Sequence, residues 1–255
     1  MLVAGRPTLP YSSGAAFSRK GIHHRENEDQ HRILDGSHPV VAAAHRGCLY
    51  AVADGVSSVP RGREAALLTC SKLDSFFDKD FEPDVGSLQQ IISEVDWELR
   101  AEGRGLSACT CSMLWLAHGM ATILHVGDSQ VYRVRHGQVT RITKSHRGGR
   151  ALGAYVGMGP KISEVLQLWQ EPMLVGDLFL LVTDGVTAVL DPDELLDSWW
   201  AMGGSPQRAA NAIIQAVDAA EGEDDATALV VDVLALEEDA GDETTYSGKT
   251  DFRRG

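Results

Sequence analysis

The segment "CSMLWLAHGMATILHVGDSQVYRVRHGQVTRI", residues 111–142, determines the expected fold. It contains four consecutive runs of strand-forming residues, with breaks as short as His118-Gly119 and His136-Gly137. Breaks of this length and composition are typical of tight hairpin turns between antiparallel strands. We therefore predict an antiparallel meander in the middle of the chain.

Further strands and four helices are predicted on either side of this meander. The additional strands are "CLYAVA" (48–53), "ISEVLQL" (162–168), "LFLLVT" (178–183) and "TALVVDVL" (227–234). Helices are expected over residues 62–77, after Ser87 as an N-cap, after Asp191 with Pro192, and after Ser205 with Pro206. Because strands and helices do not alternate as a parallel sheet requires, we predict an α+β sandwich.

The length and composition favour one globular domain. The chain has 255 residues and 44% hydrophobic content, which is ample for a sizeable core. Residues 15–236 are predicted to form this domain. Residues 1–14 and the acidic, polar tail 237–255 contain few apolar side chains, so we expect both ends to be flexible.

The charge and the cysteines restrict the partners and the compartment. A formal charge of -13 repels nucleic acid and anionic membranes. Neither a signal peptide nor an apolar run of roughly 20 residues is found. We expect a cytoplasmic monomer without nucleic-acid or membrane partners. Four cysteines without zinc-like spacing are expected to be buried free thiols, namely Cys48, Cys70, Cys109 and Cys111.

Acidic residues follow or precede several of the apolar strands. They are Asp54, Asp128, Asp184, Asp224 and Asp225, together with "NED" at 27–29. If the strand ends meet at one edge of a sandwich, these carboxylates cannot all ionise without a compensating cation. Oxygen ligands without Cys or His suit Mg²⁺ or Mn²⁺. The glycines after Asp54 and Asp184 would let a carbonyl or water approach such an ion.

Simpler explanations stay open for each residue taken alone. An Asp-Gly pair after a strand is most often a turn. Local capping or surface exposure accounts for Asp78, Asp80 and Asp191. His23, His24 and His146 form no ligand-spaced pair and are better explained as surface or packing groups than as metal ligands, so the expected metal ligands are oxygen donors.

In order and context, five motifs resemble those of the metal-dependent serine/threonine protein phosphatases of type 2C (PPM). The match spans about residues 17–234, and the motifs are "GIHHRENEDQ", "YAVADGVSSVPRGREAA", "ILHVGDSQVYRVRHGQVTRITKSH", "LVGDLFLLVTDGV" and "DDATALVVDV". This resemblance implies a four-layer α-β-β-α sandwich, with two mainly antiparallel sheets between helical layers. It also implies a dinuclear Mn²⁺ or Mg²⁺ site at one end.

The resemblance assigns roles to particular positions. Asp54 would bridge two ions, and Asp54, Asp184 and Asp224 would be the catalytic acids. Asp128 with Asp184 matches positions that bind a third, weaker ion in many bacterial-type members. The full set of implied metal-binding positions is Glu28, Asp29, Asp54, Gly55, Asp128, Asp184 and Asp224.

The implied reaction is the hydrolysis of phosphoserine or phosphothreonine by a metal-bridging water or hydroxide, without a phosphoenzyme. The chain departs from the family pattern at the phosphate-binding arginine, whose position holds His24, with Arg25 one place later. Val56, Ser57 and Ser58 stand where many members carry a proposed general acid or a Gly pair. The flap segment after His146 is short.

Three functions follow as hypotheses. An active phosphoprotein phosphatase is favoured because each implied ligand position keeps an oxygen donor. A catalytically weak module that binds phosphoproteins or regulates a kinase is the alternative, and hydrolysis of small phosphoesters is a third. By analogy with the family, a serine/threonine kinase is an expected partner.

Overall fold

Two five-stranded antiparallel sheets form the middle of the structure, a computed structural model that describes residues 12–78, 82–101, 107–149, 151–201 and 203–235. The strands are β1 (Ser12–Arg19), β2 (Gln30–Leu34), β3 (Cys48–Ala53), β4 (Cys111–Ala117), β5 (Met120–Val126), β6 (Gln130–Arg135), β7 (Gln138–Arg141), β8 (Arg147–Gly148), β9 (Ala151–Leu152), β10 (Gln167–Pro172), β11 (Leu178–Val182) and β12 (Ala226–Val233). One sheet has the order β1-β12-β11-β6-β7 and the other β10-β5-β4-β3-β2, while β8 and β9 form a separate hairpin.

Seven α-helices and one 3-10 helix accompany the sheets in the described part of the chain. They are α1 (Pro39–Ala44), α2 (Gly62–Lys72), α3 (Val85–Ala101), α4 (Ile162–Val165), α5 (Asp184–Thr187), α6 (Pro192–Ala201) and α7 (Pro206–Ala219), with a 3-10 helix at Leu73–Phe77. Helices α2 and α3 pack on the sheet that contains β3, and α6 and α7 pack on the sheet that contains β11. The predicted four-layer α-β-β-α sandwich is confirmed.

Several strands are apolar at every position because both of their faces are buried. On β11, Leu180 and Val182 face α6 and α7, whereas Phe179 and Leu181 face the other sheet. A strand buried on both faces needs apolar residues at every position, because successive side chains point to opposite sides. The layer between the sheets is filled by side chains such as Tyr50, which is fully buried.

The four strands predicted for the central meander are confirmed, but their predicted pairing in a single meander is wrong. The turns at His118-Gly119 and His136-Gly137 have positive φ at both residues, as two-residue hairpins require. However, β4 and β5 pair in one sheet, whereas β6 and β7 pair in the other. The chain crosses between the sheets at residues 127–129, so the four strands form two hairpins.

Two local predictions need correction. Helix α3 is capped by Asp84, whose Oδ1 accepts a hydrogen bond from the Ser87 backbone N–H at 2.8 Å, so Ser87 lies inside the helix. The "ISEVLQL" strand is a short helix, Ile162–Val165, followed by β10 from Gln167. The sequence patterns also missed β1 and β2, of which β2 carries few buried residues. The caps at Asp191 and Ser205 are confirmed.

The ends of the described chain lie side by side in one sheet. Strand β1 begins at Ser12, within the segment 1–14, and pairs along its whole length with β12. Residues 1–11 and the tail 237–255 lie outside the described residues, so their predicted flexibility and the proposed domain limits stay predictions. Within the described ranges, no helix combines the length and apolar character needed to cross a membrane.

The four cysteines are buried and form no disulfide among the described residues, as expected from the sequence. Burial raises the pKa of the Cys109 thiol to about 12, so it is protonated at neutral pH. These thiols therefore act as packing groups.

Candidate metal centre

Three of the predicted acids meet at one end of the two sheets. Asp54 follows β3 in one sheet, Asp184 follows β11 in the other, and Asp128 lies in the crossing between the sheets. Each offers a carboxylate oxygen, and these oxygens all lie within 4.8 Å of one another. Strands of opposite sheets thus bring together carboxylates that are up to 130 positions apart in sequence.

Asp29 lies behind this cluster in a buried position. Its Oδ2 accepts a hydrogen bond from the Thr183 hydroxyl at 2.8 Å, while its Oδ1 is buried without a hydrogen-bond partner among the described residues. A buried carboxylate oxygen without a partner is costly. A bound cation would remove this cost.

Buried hydroxyl groups support the acids from the side of the core. The Thr183 hydroxyl accepts the Thr227 backbone N–H at 2.9 Å. The Thr110 hydroxyl accepts the Asp54 backbone N–H at 3.0 Å and contacts the Ser129 hydroxyl at 2.8 Å. Sequence reasoning missed these residues. A signal was available for three of them, because Thr183 precedes Asp184, Ser129 follows Asp128, and Thr227 lies two positions after Asp225.

Burial, reinforced by mutual repulsion, raises the pKa values of the acids. Burial raises the pKa of the Asp29 carboxyl to about 7, although the hydrogen bond from Thr183 opposes the shift. Burial, reinforced by the charges of Asp128 and Asp224, raises the pKa of Asp184 to about 6. The pKa of Asp54 is also raised well above its usual range, first by burial and then by the charge of Asp29. Without a cation, the cluster therefore retains protons at a pH where isolated carboxyls are ionised.

Asp224 and Asp225 lie beside the cluster, and His24 contacts both. Asp225 accepts hydrogen bonds from the backbone N–H groups of Gly21 at 2.6 Å and Glu28 at 2.7 Å. The His24 ring lies 2.9 Å from Asp225 and 3.5 Å from Asp224 in ion-pair contacts. The contact with Asp225 raises the pKa of His24. Asp225 thus fixes the loop that carries the first motif, a role that the sequence did not indicate.

The remaining predicted residues lie around the cluster. Glu28 accepts a hydrogen bond from the Ser57 hydroxyl at 2.8 Å, and its backbone carbonyl accepts the Gly55 N–H at 3.2 Å. Arg25 is exposed and forms no ion pair or hydrogen bond within the described ranges. The assignment of phosphate binding to His24 and Arg25, and of metal binding to Glu28 and Gly55, stays a prediction.

The two glycines that follow acids are required by close backbone packing. A Cβ on Gly55 would lie 2.4 Å from the Gly62 carbonyl carbon, and one on Gly185 would lie 2.0 Å from the Asp225 carbonyl oxygen. Neither pair is a simple turn, since Gly55 forms a β-bridge to Cys109 and Asp184 begins helix α5. This packing explains the glycines without the access for an ion that the sequence suggested.

Arg147, at the start of the β8–β9 hairpin, is the main site residue that sequence reasoning missed. Its Nε donates to Oδ2 of Asp128 at 2.6 Å, and its Nη2 donates to Oδ2 of Asp184 at 2.8 Å. No motif pointed to this residue, because the contacts depend on how the segment after His146 folds back.

The oxygen donors suit a hard divalent ion. The three side chains that converge most closely, Asp54, Asp128 and Asp184, are all carboxylates, and none is a cysteine or a histidine. Together with the unpartnered Oδ1 of Asp29, this donor set fits Mn²⁺ or Mg²⁺.

Comparison with known proteins identifies the family. The family model "Protein phosphatase 2C" matches residues 23–217, which include most of the site. The chain belongs to the protein phosphatase 2C family. This membership confirms the family resemblance of the five motifs and agrees with the acids at the strand ends.

Individual relatives of this phosphatase 2C chain are distant. It is 25% identical to the serine/threonine protein phosphatase PstP of Mycobacterium tuberculosis, over 86% of this chain and 45% of PstP. It therefore spans about half the length of the curated relatives that it matches.

Solved structures agree with the sandwich. PppA, described as a key regulatory component of T6SS in Pseudomonas aeruginosa, has a TM-score of 0.72 at 26% identity, covering 88% of this chain and 98% of PppA. The PstP catalytic domain in complex with two manganese ions also has a TM-score of 0.72, at 22% identity, covering 89% of this chain and all of that one. The second likeness concerns the fold alone.

Proposed function

We propose that this phosphatase 2C member is a metal-dependent protein serine/threonine phosphatase. The observation that carries the proposal is the convergence of the Asp54, Asp128 and Asp184 oxygens within 4.8 Å, beside the unpartnered Oδ1 of Asp29. The solved PstP catalytic domain, which shares the fold, holds two manganese ions. Two Mn²⁺ or Mg²⁺ ions are the corresponding cofactors proposed here.

Asp54, Asp184 and Asp224 are the proposed catalytic acids, with Glu28, Asp29 and the Gly55 carbonyl as further metal-binding groups. Bound by them, the ions would supply the positive charge that activates a water and stabilises the phosphoryl group during in-line attack. The Thr183 hydroxyl orients Asp29, and the Thr110 hydroxyl holds the backbone of Asp54. These contacts fix the acids before substrate arrives, which is the arrangement that electrostatic catalysis needs.

Phosphate recognition is proposed for the loop of the first motif. Arg25 is the more available group, because it is exposed and free of ion pairs within the described ranges. His24 is engaged by Asp225 and Asp224, and the raised pKa favours its cationic form. In this arrangement, His24 offsets part of the negative charge of the two acids and Arg25 contacts the substrate phosphate.

The substrates proposed are phosphoserine and phosphothreonine side chains of proteins, with a serine/threonine kinase as the opposing enzyme and a monomer in the cytoplasm as the working form. The catalytically weak binding module is less favoured, because the three closest acids are retained. Hydrolysis of small phosphoesters would use the same centre.

The test is Mn²⁺-dependent hydrolysis of a phosphothreonine peptide and of an aryl phosphate by the wild type and Asp54→Ala. Because even outer partners of metal ligands contribute about 10-fold to 100-fold, we expect Asp54→Ala to lower kcat/KM by at least about 100-fold. Asp193→Asn removes an exposed carboxylate from the first turn of α6 and is the matched control, with unchanged activity.

Equal rates for wild type and Asp54→Ala would contradict the proposal. Binding of the phosphopeptide without turnover at any Mn²⁺ concentration would favour the binding module. Turnover of the aryl phosphate but not of phosphopeptides would favour the small-phosphoester hypothesis.

A further inference from the structure

The guanidinium of Arg147 lies on one edge of the acidic cluster. It forms one hydrogen bond to Asp128 and one to Asp184, at 2.6 and 2.8 Å, and so bridges two carboxylates instead of pairing with one. The Asp128 side chain is only 5% exposed, whereas that of Arg147 is 46% exposed. The cation therefore covers a nearly buried carboxylate from the solvent side.

The backbone holds Arg147 at this edge. The His146 N–H donates to the Gly127 carbonyl at 2.8 Å, and the Gly153 N–H donates to the His146 carbonyl at 2.8 Å. The residue before Arg147 is thus anchored to the residue before Asp128, and the β8–β9 hairpin closes directly after it. A tethered charge has a high effective concentration next to its partner, so a free ion must displace it to bind there.

The contacts of Arg147 are with the Oδ2 atoms of Asp128 and Asp184, and not with Asp54 or Asp29. Asp29 accepts a hydrogen bond from the Thr183 hydroxyl, and a carboxylate oxygen of Asp54 lies within 4.8 Å of those of Asp128 and Asp184. Divalent ions can therefore bind to Asp54, Asp29 and the second carboxylate oxygen of Asp184 while the guanidinium stays on the Oδ2 atoms of Asp128 and Asp184. Arginine is suited to this position because its fork of donors matches carboxylate oxygens and its charge is permanent.

We propose that the Arg147 guanidinium takes the place of a metal ion between Oδ2 of Asp128 and Oδ2 of Asp184, a position called the Asp128–Asp184 edge below. It thereby keeps divalent ions from binding there. The inference rests on the proposed function, in that it assumes that the Asp54 side binds divalent ions. Replacing the guanidinium would open one additional, weaker ion position. Arg147 thus sets the number of bound ions and acts as a positioning residue that links the hairpin to the site.

The experiment counts Mn²⁺ ions per chain by equilibrium dialysis, with free Mn²⁺ measured by electron paramagnetic resonance. We expect Arg147→Gln to bind one more Mn²⁺ per chain than the wild type, with weaker affinity than the ions already present. The double variant Arg147→Gln with Asp128→Asn should return to the wild-type number. Arg141→Gln, which removes the same charge from exposed β7, is the matched control and should leave the number unchanged.

Equal Mn²⁺ numbers and affinities in wild type and Arg147→Gln would overturn the proposal. If Arg147→Gln does not fold, as judged by circular dichroism, Asp128→Asn alone decides. That variant keeps the wild-type number if Arg147 occupies the edge, and loses one ion if Asp128 binds metal in the wild type. A wild type that binds no Mn²⁺ would instead contradict the proposed function. Two Mn²⁺ ions in both the wild type and Arg147→Gln would contradict only the role of Arg147.

Discussion

Asp29 illustrates the site at the scale of a single residue, because it is buried with one unpartnered oxygen. Its pKa of about 7 in the metal-free protein lies far above the usual value of 3.8. Between these two pH values the folded protein holds a proton that the unfolded chain has released. The stabilisation by this group is therefore present at low pH and lost as the pH rises through 7.

This difference predicts a pH-dependent stability of the metal-free protein. In EDTA, the free energy of unfolding should fall between pH 4 and pH 7 by up to about 1.4 kcal/mol per pH unit for each retained proton. Saturating Mg²⁺ should abolish the decline, since a cation bound only to the folded state offsets the carboxylate charges. Thermal melts of wild type and Asp29→Asn are the measurement, and an equally steep decline in both would contradict the assignment to Asp29.

Thr183 is a second residue with a specific expected effect. Its hydroxyl donates to Asp29 and accepts the Thr227 N–H. Thr183→Val should weaken Mn²⁺ binding by about 10-fold to 100-fold, because outer partners orient metal ligands. Thr183→Ser keeps the hydroxyl and should restore binding, and Thr140→Val on exposed β7 is the control. Unchanged affinity in Thr183→Val, measured by calorimetry, would exclude this positioning role.

The start of helix α3 shows how a local hydrogen bond fixes the boundary of a helix. The Oδ1 of Asp84 accepts the Ser87 N–H, which has no partner inside the helix. Asp and Ser are both preferred at N-caps, but capping at Ser87, as the sequence predicted, would place Val85 and Gly86 outside the helix that contains them.

This boundary gives a stability prediction with a built-in control. Asp84→Ala should lower the free energy of unfolding by about 1 kcal/mol, as is usual for the loss of an N-cap. Ser87→Ala should have a much smaller effect, since the Ser87 group that contacts Asp84 is its backbone N–H. Chemical denaturation of the two variants is the measurement. A larger loss for Ser87→Ala would restore the original cap assignment.

At the scale of the whole molecule, the two sheets hold the site by packing against each other. Asp54 is carried by one sheet and Asp184 by the other, so their separation depends on the layer between the sheets. Phe179 is fully buried in that layer, on the strand that leads to Asp184. Loss of this side chain would affect both stability and the spacing of the acids.

Phe179→Ala is accordingly expected to cost about 3 to 5 kcal/mol of unfolding free energy, the usual range for a buried phenylalanine. It should also weaken Mn²⁺ binding. Trp200→Ala is the control, because Trp200 is large but 60% exposed, and its replacement should leave both quantities nearly unchanged. Denaturation with and without Mn²⁺ measures both effects. A Phe179→Ala variant with wild-type metal affinity would show that the site does not depend on this layer.

Local patterns in the sequence were sufficient to predict the strands with apolar side chains on both faces, the two His-Gly hairpins and the acids at the strand ends. These features depend on local periodicity and turn chemistry, which a single segment expresses without knowledge of its neighbours. Sequence reasoning failed at β1 and β2, where burial is partial, and at the pairing of β5 with β6, because neighbouring strands need not share a sheet.

Which charged side chains contact one another depends on the packing of the whole chain. Arg147 reaches Asp128 and Asp184 across 19 and 37 positions of sequence, and Asp225 holds the Gly21 and Glu28 backbone from about 200 positions away. Such contacts are set by how loops fold over the ends of two packed sheets, so no local pattern encodes them. The acids of the site can therefore be predicted from the sequence, whereas the contact of Arg147 with Asp128 and Asp184 follows from the packing of the whole chain.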